Sequence, residues 1–263
     1  MSSRVRPSDR VCSAYGVVPT EAVNLPGGRG LAWRAGHIVL RPFEGGEENA
    51  WKAGVLARLQ HTSEFRTPRP VRTRSGSWSE EGWEAWEWVP GTADESRVDD
   101  ILRAARSFHS AISHLERPGF IDDSDDPWSR ADRVAWGEEA TPVNASVKRL
   151  VGAFLPVSAA SQLVHGDLLG NVLFAQGQPP TIIDWAPYWR PARYADAIVI
   201  ADACWHELPL TRMRALVDGI PEGRQLLLRA LTFRIATLTL RGAWDAGMRE
   251  RHEPILRAAL DEG

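Results

Sequence analysis

His165-Gly166-Asp167-Leu168-Leu169-Gly170-Asn171-Val172-Leu173-Phe174, followed further on by Thr181-Ile182-Ile183-Asp184-Trp185, is the stretch on which the reading of this chain turns. Val172-Leu173-Phe174 and Thr181-Ile182-Ile183 are short apolar runs separated by Gly177 and Pro179-Pro180, so they predict two strands joined by a turn. Asp167 stands just before the first strand and Asp184 just after the second, and pairing the strands brings the two carboxylates close. Phosphoryl transfer asks for such a set: one carboxylate to orient a hydroxyl and accept its proton, and oxygen ligands to hold magnesium on the phosphates. Asn171 offers a neutral oxygen from the same loop. His165, two residues before Asp167, is placed to hold the loop by hydrogen bonding to its backbone. A solitary Asp in such a place is ordinarily a turn residue, and a lone His is ordinarily structural. The ordered combination is the specific signal.

Working outward, this β-like stretch, Leu163 to Asp184, sits inside a helical region. Ser96 with Asp99-Asp100 reads as a helix start, and Ile101, Leu102, Ala105, Phe108 and Ile112 form one apolar stripe. An acidic loop, Asp122 to Asp126, precedes further helix from about Trp128. The chain from about Ala192 reads as helix, broken near Pro209 and Pro221.

The first ninety residues have another character. A short helix capped at Ser8-Asp9 runs through Tyr15, and a strand is expected from Glu21 to Leu25, stopped by Pro26-Gly27-Gly28-Arg29-Gly30. Leu31 to Arg34 and His37 to Arg41 read as a hairpin turning at Ala35-Gly36. Trp51, Val55, Leu56 and Leu59 give helical spacing from Glu47 to Leu59. Strand-like runs near Val71 to Thr73 and Trp83 to Val89 close the region before Pro90-Gly91. The expectation is an α+β chain with a small β-rich N-lobe, residues 1–90, and a larger helical C-lobe, residues 91–263, carrying the catalytic hairpin at 163–185. A ligand cleft between the lobes is the natural place for a site.

Composition removes several function classes. The 263 residues hold 31 Lys and Arg against 34 Asp and Glu, a net charge of -3, so there is no basic footprint for nucleic acid. Two cysteines, Cys12 and Cys204, make neither a disulfide framework nor a cysteine zinc site, and they fit a reducing compartment. The polar stretch from Met1 to Arg10 lacks the apolar core of a signal peptide, and no run approaches the length of about 20 apolar residues that a span needs. The expectation is a cytoplasmic protein with no membrane partner; oligomeric state is not readable. The twelve tryptophans read chiefly as packing residues.

The run from His165 to Phe174 with Ile182-Ile183-Asp184-Trp185 resembles the Brenner and metal motifs of the aminoglycoside phosphotransferase-like kinases, a superfamily that also holds choline, homoserine and macrolide kinases. Its short His-Gly-Asp-x-x-Gly-Asn loop is similar to an actinobacterial-type branch with no settled substrate. The resemblance implies the bilobal protein-kinase-like fold. It also implies a magnesium- and ATP- or GTP-dependent kinase that phosphorylates a hydroxyl of a small molecule. Asp167 would be the catalytic base, with His165 beside it in the motif, and Asn171 and Asp184 would be magnesium ligands. Asp196 would anchor the catalytic-loop backbone. In the first lobe Gly27, Gly28 and Gly30 would lie over the nucleotide phosphates. Arg41 stands in the strand position whose lysine meets those phosphates, with Glu48 or Glu47 as its partner. Glu87, Trp88 and Val89 would present backbone hydrogen bonds to the base, sandwiched by Leu25, Val39, Leu173 and Ile183.

This chain departs from the family in three places. Asp167 to Asn171 is one residue shorter than usual, Arg41 replaces lysine, and Ala192 stands where a further Asp is common. Arginine keeps the charge but presents a larger planar fork. Arg41 and the short loop therefore motivate a second reading, a degenerate kinase fold that binds nucleotide or a partner without catalysis. A third, a metal-dependent phosphoesterase built on His165, Asp167 and Asp184, needs more ligands than the neighbouring sequence offers. The acidic clusters Asp94-Glu95, Asp122 to Asp126 and Glu138-Glu139 suit either a cationic acceptor or, more simply, a solvated surface.

Overall fold

A computed structural model describes residues 6–26, 30–43 and 46–261. The chain is mixed α+β and divides into two compact units, residues 1–92 with 174–183, and residues 93–173 with 184–263.

The first unit is built on an antiparallel sheet. Its strands run in the spatial order Val23–Asn24, Trp33–Ala35, Ile38–Pro42, Trp83–Glu87 and Pro70–Val71, with Ser79–Glu80 also paired to Trp83–Glu87. The hairpin expected at Ala35-Gly36 is there: Ala35 faces Ile38, and Gly36 takes the positive φ of 59° that the turn needs. Helix Asp9–Tyr15 starts at Ser8, whose hydroxyl accepts from Val11 N–H, and stops at Gly16 in the left-handed region. Val11, Cys12 and Tyr15 pack with Ile38, Leu40, Trp83 and Ala85 as one core. Helix Gly46–Leu56 follows, shorter than the expected run to Leu59.

Segment 174–183 groups with this sheet unit, whereas a division at 90/91 places the whole hairpin with the helices. Arg66 explains the grouping. Its N–H donates to Pro180 O (2.9 Å), its carbonyl accepts from Ile182 N–H (2.8 Å), and its Nε donates to Thr181 Oγ1 (2.7 Å). A polar tie of this kind leaves no mark on hydrophobic periodicity.

The second unit is helical and centres on Gly223–Leu240, which packs against Pro127–Ala135, Ala192–Trp205 and Ala145–Gly152. This helix is buried at Leu226, Leu227, Leu228, Ala230, Leu231, Phe233, Ile235 and Ala236, apolar nearly all round, as a helix in the middle of a bundle must be. Arg229 and Arg234 interrupt that surface, and each has acceptors: Arg229 donates to the Ala135 and Leu155 carbonyls, and Arg234 reaches Asp167. Helix Val98–Ile112 buries its expected stripe. Its expected cap differs, because the Ser96 hydroxyl and N–H both bond to Asp94 and the helix opens at Val98. The acidic loop is also partly helical, over Phe120–Asp123, and Asp126 caps Pro127–Ala135 through Trp128 and Ser129 N–H.

The second unit also holds a two-stranded ribbon, Ser161–His165 against Pro187–Pro191, in which His165 faces Pro187 and Leu163 faces Trp189. The second of these strands, with a proline at each end, does not announce itself in the sequence. Among the described residues no helix is long and apolar enough to cross a membrane.

Candidate active site

The ribbon delivers the chain into the loop that carries Asp167. Gly166 N–H donates to Ala186 O (3.0 Å), and the buried His165 ring accepts at Nδ1 from the N–H groups of Asp167 (3.1 Å) and Ala186 (3.4 Å). His165 is fully buried. It holds the loop, and burial keeps it from meeting a substrate. Gly166 is required for a separate reason: a Cβ there would lie 2.5 Å from the Tyr188 ring.

The short spacing from Asp167 to Asn171 is absorbed by a tight turn. Asn171 N–H donates to Leu168 O (2.9 Å), and Gly170, third of the four residues, has φ 83°. A positive φ at that position is the type II signature, which glycine adopts without strain. Leu168 is fully buried and anchors the turn. Asn171 is thereby folded back so that its Nδ2 donates to Asp167 O (2.7 Å) and Oδ2 (3.3 Å). With the NH2 group used this way, the amide oxygen is what Asn171 has left for a cation.

Asp167 itself is exposed but held. Its Oδ1 accepts from Arg234 Nη2 at 2.9 Å, and the same nitrogen reaches Gly166 O at 3.3 Å. Arg234 is in turn fixed by Asp202, accepting at Oδ1 from Nε (2.7 Å) and at Oδ2 from Nη2. Burial opposes the charge on Arg234, but the attraction of Asp202 and its hydrogen bonds outweigh burial and push the guanidinium further up. Burial raises the Asp202 carboxyl, partly offset by Arg234. Helix Val98–Ile112 adds His109, whose Nε2 accepts the His165 N–H (3.0 Å). That bond requires a neutral ring, and full burial agrees, lowering His109 to about 3.

His109 takes the part expected of Asp196. Asp196 is fully buried, and its Oδ2 accepts instead from Arg106 Nε (2.9 Å) and Arg193 Nη1 (2.7 Å). His109, Asp202, Arg234 and Tyr188 are the functional neighbours that motif reading missed. One signal was present: an arginine inside an otherwise apolar helix needs a buried acceptor.

Asp184 lies at the kink after the second strand. Its φ of 56° is in the left-handed region, which non-glycine residues seldom occupy and which gathers at functional sites. The next residue is locked: Trp185 is buried, donates from Nε1 to Val164 O (3.3 Å) and meets Phe108 edge-on at 5.4 Å. With Trp185 turned inward, Asp184 is turned out and exposed. A carboxylate and an amide oxygen are hard donors that suit magnesium, so Asp184 and Asn171 fit the ion the resemblance implies. No group of three His, Cys, Asp or Glu side chains that could hold a metal ion is found among the described residues.

In the first unit, Gly27 and Gly28 lie outside the described residues. Gly30 is described and has φ 66°. Leu25 N–H donates to Ala32 O. Val39 is central in its strand, opposite Arg34 and Trp86. Arg41 pairs with Glu84, which faces it across the ladder and also accepts from Asn49 Nδ2 (3.1 Å); Glu48 pairs with Lys52 at 2.8 Å. Glu87 N–H donates to Arg69 O and Trp88 N–H to His37 O, both 2.8 Å. Val89 is buried, and its N–H makes no backbone hydrogen bond among the described residues. Leu173 and Ile183 are half-buried, and Ile183 directly precedes Asp184.

Each acidic cluster is paired in part internally. Asp122 pairs with Arg117, Asp125 and Glu139 with Arg133, and Glu138 with Arg190, while Glu95 meets His206 at 2.8 Å. They are a salt-bridged surface, the simpler of the two readings.

Curated proteins give no match. Among solved structures, the amicoumacin kinase hAmiN in complex with AMP-PNP, Ca2+ and Ami is similar, with a TM-score of 0.67 at 12% identity, covering 96% of this chain and 92% of that one. The GDP and kanamycin complex of APH(2")-IIia gives 0.59 at 15%, covering 96% and 98%. A choline/ethanolamine kinase family protein from Mesorhizobium loti gives 0.52 at 16%, covering 96% and 90%. At these identities the likeness shows a shared fold. Residues 31–220, which include the whole loop from His165 to Asp184, match the model of the phosphotransferase enzyme family, and the chain belongs to that family.

Proposed function

We propose that this phosphotransferase moves the γ-phosphate of ATP or GTP, with magnesium, to a hydroxyl of a small molecule. The observation that carries the reading is the state of Asp167: exposed, with one oxygen held by Arg234 and the other by Asn171, on a loop fixed by His165 and His109. A base held in one orientation is what general-base assistance needs. Asp167 would take the hydroxyl proton as the oxygen attacks phosphorus. Asn171 and Asp184 would hold magnesium, which when bound neutralises charge on the phosphates. In the first unit Arg41 would meet phosphate, and the N–H of Val89, which has no backbone acceptor among the described residues, would serve the base in place of those of Glu87 and Trp88. Gly27, Gly28 and Gly30 would lie over the phosphates, with Val39, Leu173 and Ile183 against the base. Neighbours with AMP-PNP or GDP bound support nucleotide use and leave ATP and GTP both open.

The pairing of Arg41 with Glu84 favours a second reading, a nucleotide-binding protein without turnover, because it gives the expected phosphate ligand another partner. The test is nucleoside diphosphate release across amino sugars, sugars, amino alcohols and hydroxy acids, with Asp167→Ala as control. Acceptor-dependent release in the wild type alone supports the kinase. Nucleotide binding with no release above the Asp167→Ala level supports the second reading.

A further inference from the structure

We propose that Arg234 selects the acceptor, favouring a hydroxyl flanked by an anionic oxygen group, such as a carboxylate, over one flanked by an ammonium. The inference rests on the kinase reading and narrows its substrate class. Arg234 is mostly buried, and two of its three nitrogens are used: Nε on Asp202, and Nη2 on Asp202, Asp167 and Gly166 O. Nη1 has no protein acceptor among the described residues, so its two N–H groups stand uncommitted beside the candidate base. The two carboxylates in contact with Arg234 are already engaged. Both oxygens of Asp202 accept from Arg234, and Asp167 accepts from Arg234 and Asn171. Asp122, Asp125, Glu138 and Glu139 elsewhere in the unit are paired with arginines. Uncommitted N–H groups on a fixed guanidinium call for an oxygen anion, and the planar fork suits a carboxylate or phosphate best.

The reaction balances with this arrangement. The acceptor oxygen bonds to the γ-phosphorus, the bond to the bridging oxygen breaks, the nucleoside diphosphate leaves, and the hydroxyl proton passes to Asp167. Arg234 takes no proton; it orients Asp167 through Nη2 and the acceptor through Nη1.

Saturation-transfer NMR on the full chain with magnesium and a non-hydrolysable ATP analogue tests this, using D-glycerate, glycerol and ethanolamine as matched probes. The expected order is glycerate ahead of glycerol, with ethanolamine last. Arg234→Gln should weaken glycerate by about tenfold, the scale of one charge-assisted hydrogen bond, and weaken glycerol by clearly less, so that the glycerate-to-glycerol preference collapses. Arg234→Lys should restore part of the preference, which a purely structural role would not do. The wild-type order stands as a test even if Arg234→Gln does not fold. Equal binding of the three probes, ethanolamine first, or no glycerate binding by a nucleotide-loaded protein overturns the proposal and leaves the kinase reading intact. Failure of the nucleotide analogue to bind overturns the kinase reading instead.

Discussion

Asp167 in the helical unit and Arg41 in the sheet unit are both charged residues at the end of a strand, yet they are held in opposite ways. Arg41 is met by Glu84, the residue directly across the ladder, so its partner follows from strand register alone. Asp167 is met by Arg234, from a helix far along the chain, which Asp202 on another helix secures. The first arrangement costs little to build and ties a charge into its own sheet. The second fixes one oxygen of an exposed carboxylate and demands two charged partners that are mostly withdrawn from solvent, which a surface turn does not require. The difference points to the helical unit as the part shaped for chemistry.

The largest expected effects come from breaking the helical side of this comparison. Asp167→Asn should lower turnover by about 10²–10⁴-fold, the range of a general base, with nucleotide binding retained in a thermal-shift assay. Equal loss of binding would move Asp167 from base to ligand.

Next come the supports beneath the loop. Gly166→Ala forces its Cβ onto the Tyr188 ring and should cost about 1–3 kcal/mol in urea denaturation. Unchanged stability would show that Tyr188 can swing away.

His109 gives a pH test with a defined sign. Its folded-state value of about 3 lies below the ordinary 6.5, so between those values the unfolded chain binds a proton the native state refuses. Stability from this group is complete above pH 6.5 and is lost as pH falls toward 3. A slope of up to about 1.4 kcal/mol per pH unit is expected there, flattened in His109→Gln. An unaltered slope in the variant would place the acid sensitivity elsewhere.

The smallest effect belongs to the sheet. Arg41→Lys should cost about 0.2–1 kcal/mol, the scale of a cross-strand pair. A much larger loss of nucleotide affinity than of stability would show that Arg41 serves phosphate as well as Glu84.

These contrasts also explain what was legible in the sequence. The hairpin at Gly36, the stripe on Val98–Ile112 and the helix breaks at Pro209 and Pro221 rest on local pattern, and the fold follows them. The loop from His165 to Asp184 was readable because its residues are adjacent in sequence, down to Gly170, whose positive φ closes the shortened turn. His109, Asp202 and Arg234 are separated from that loop by long stretches of chain, so spacing says nothing of them. The strand Pro187–Pro191 was hidden by its prolines, which sit at its two ends and suggest a break. Segment 174–183 was assigned to the helices because hydrogen bonds from Arg66 carry no periodic signature.

In the proposed reaction Asp184, turned outward at its kink, would hold magnesium on a nucleotide beside Asp167. Thermal shift with ATP and with GTP, each with and without magnesium, tests it in the wild type and in Asp184→Asn. A magnesium-dependent rise in melting temperature with at least one nucleotide is expected, lost in Asp184→Asn. A wild type unmoved by both nucleotides, or an Asp184→Asn variant that shifts as far as the wild type, would contradict it.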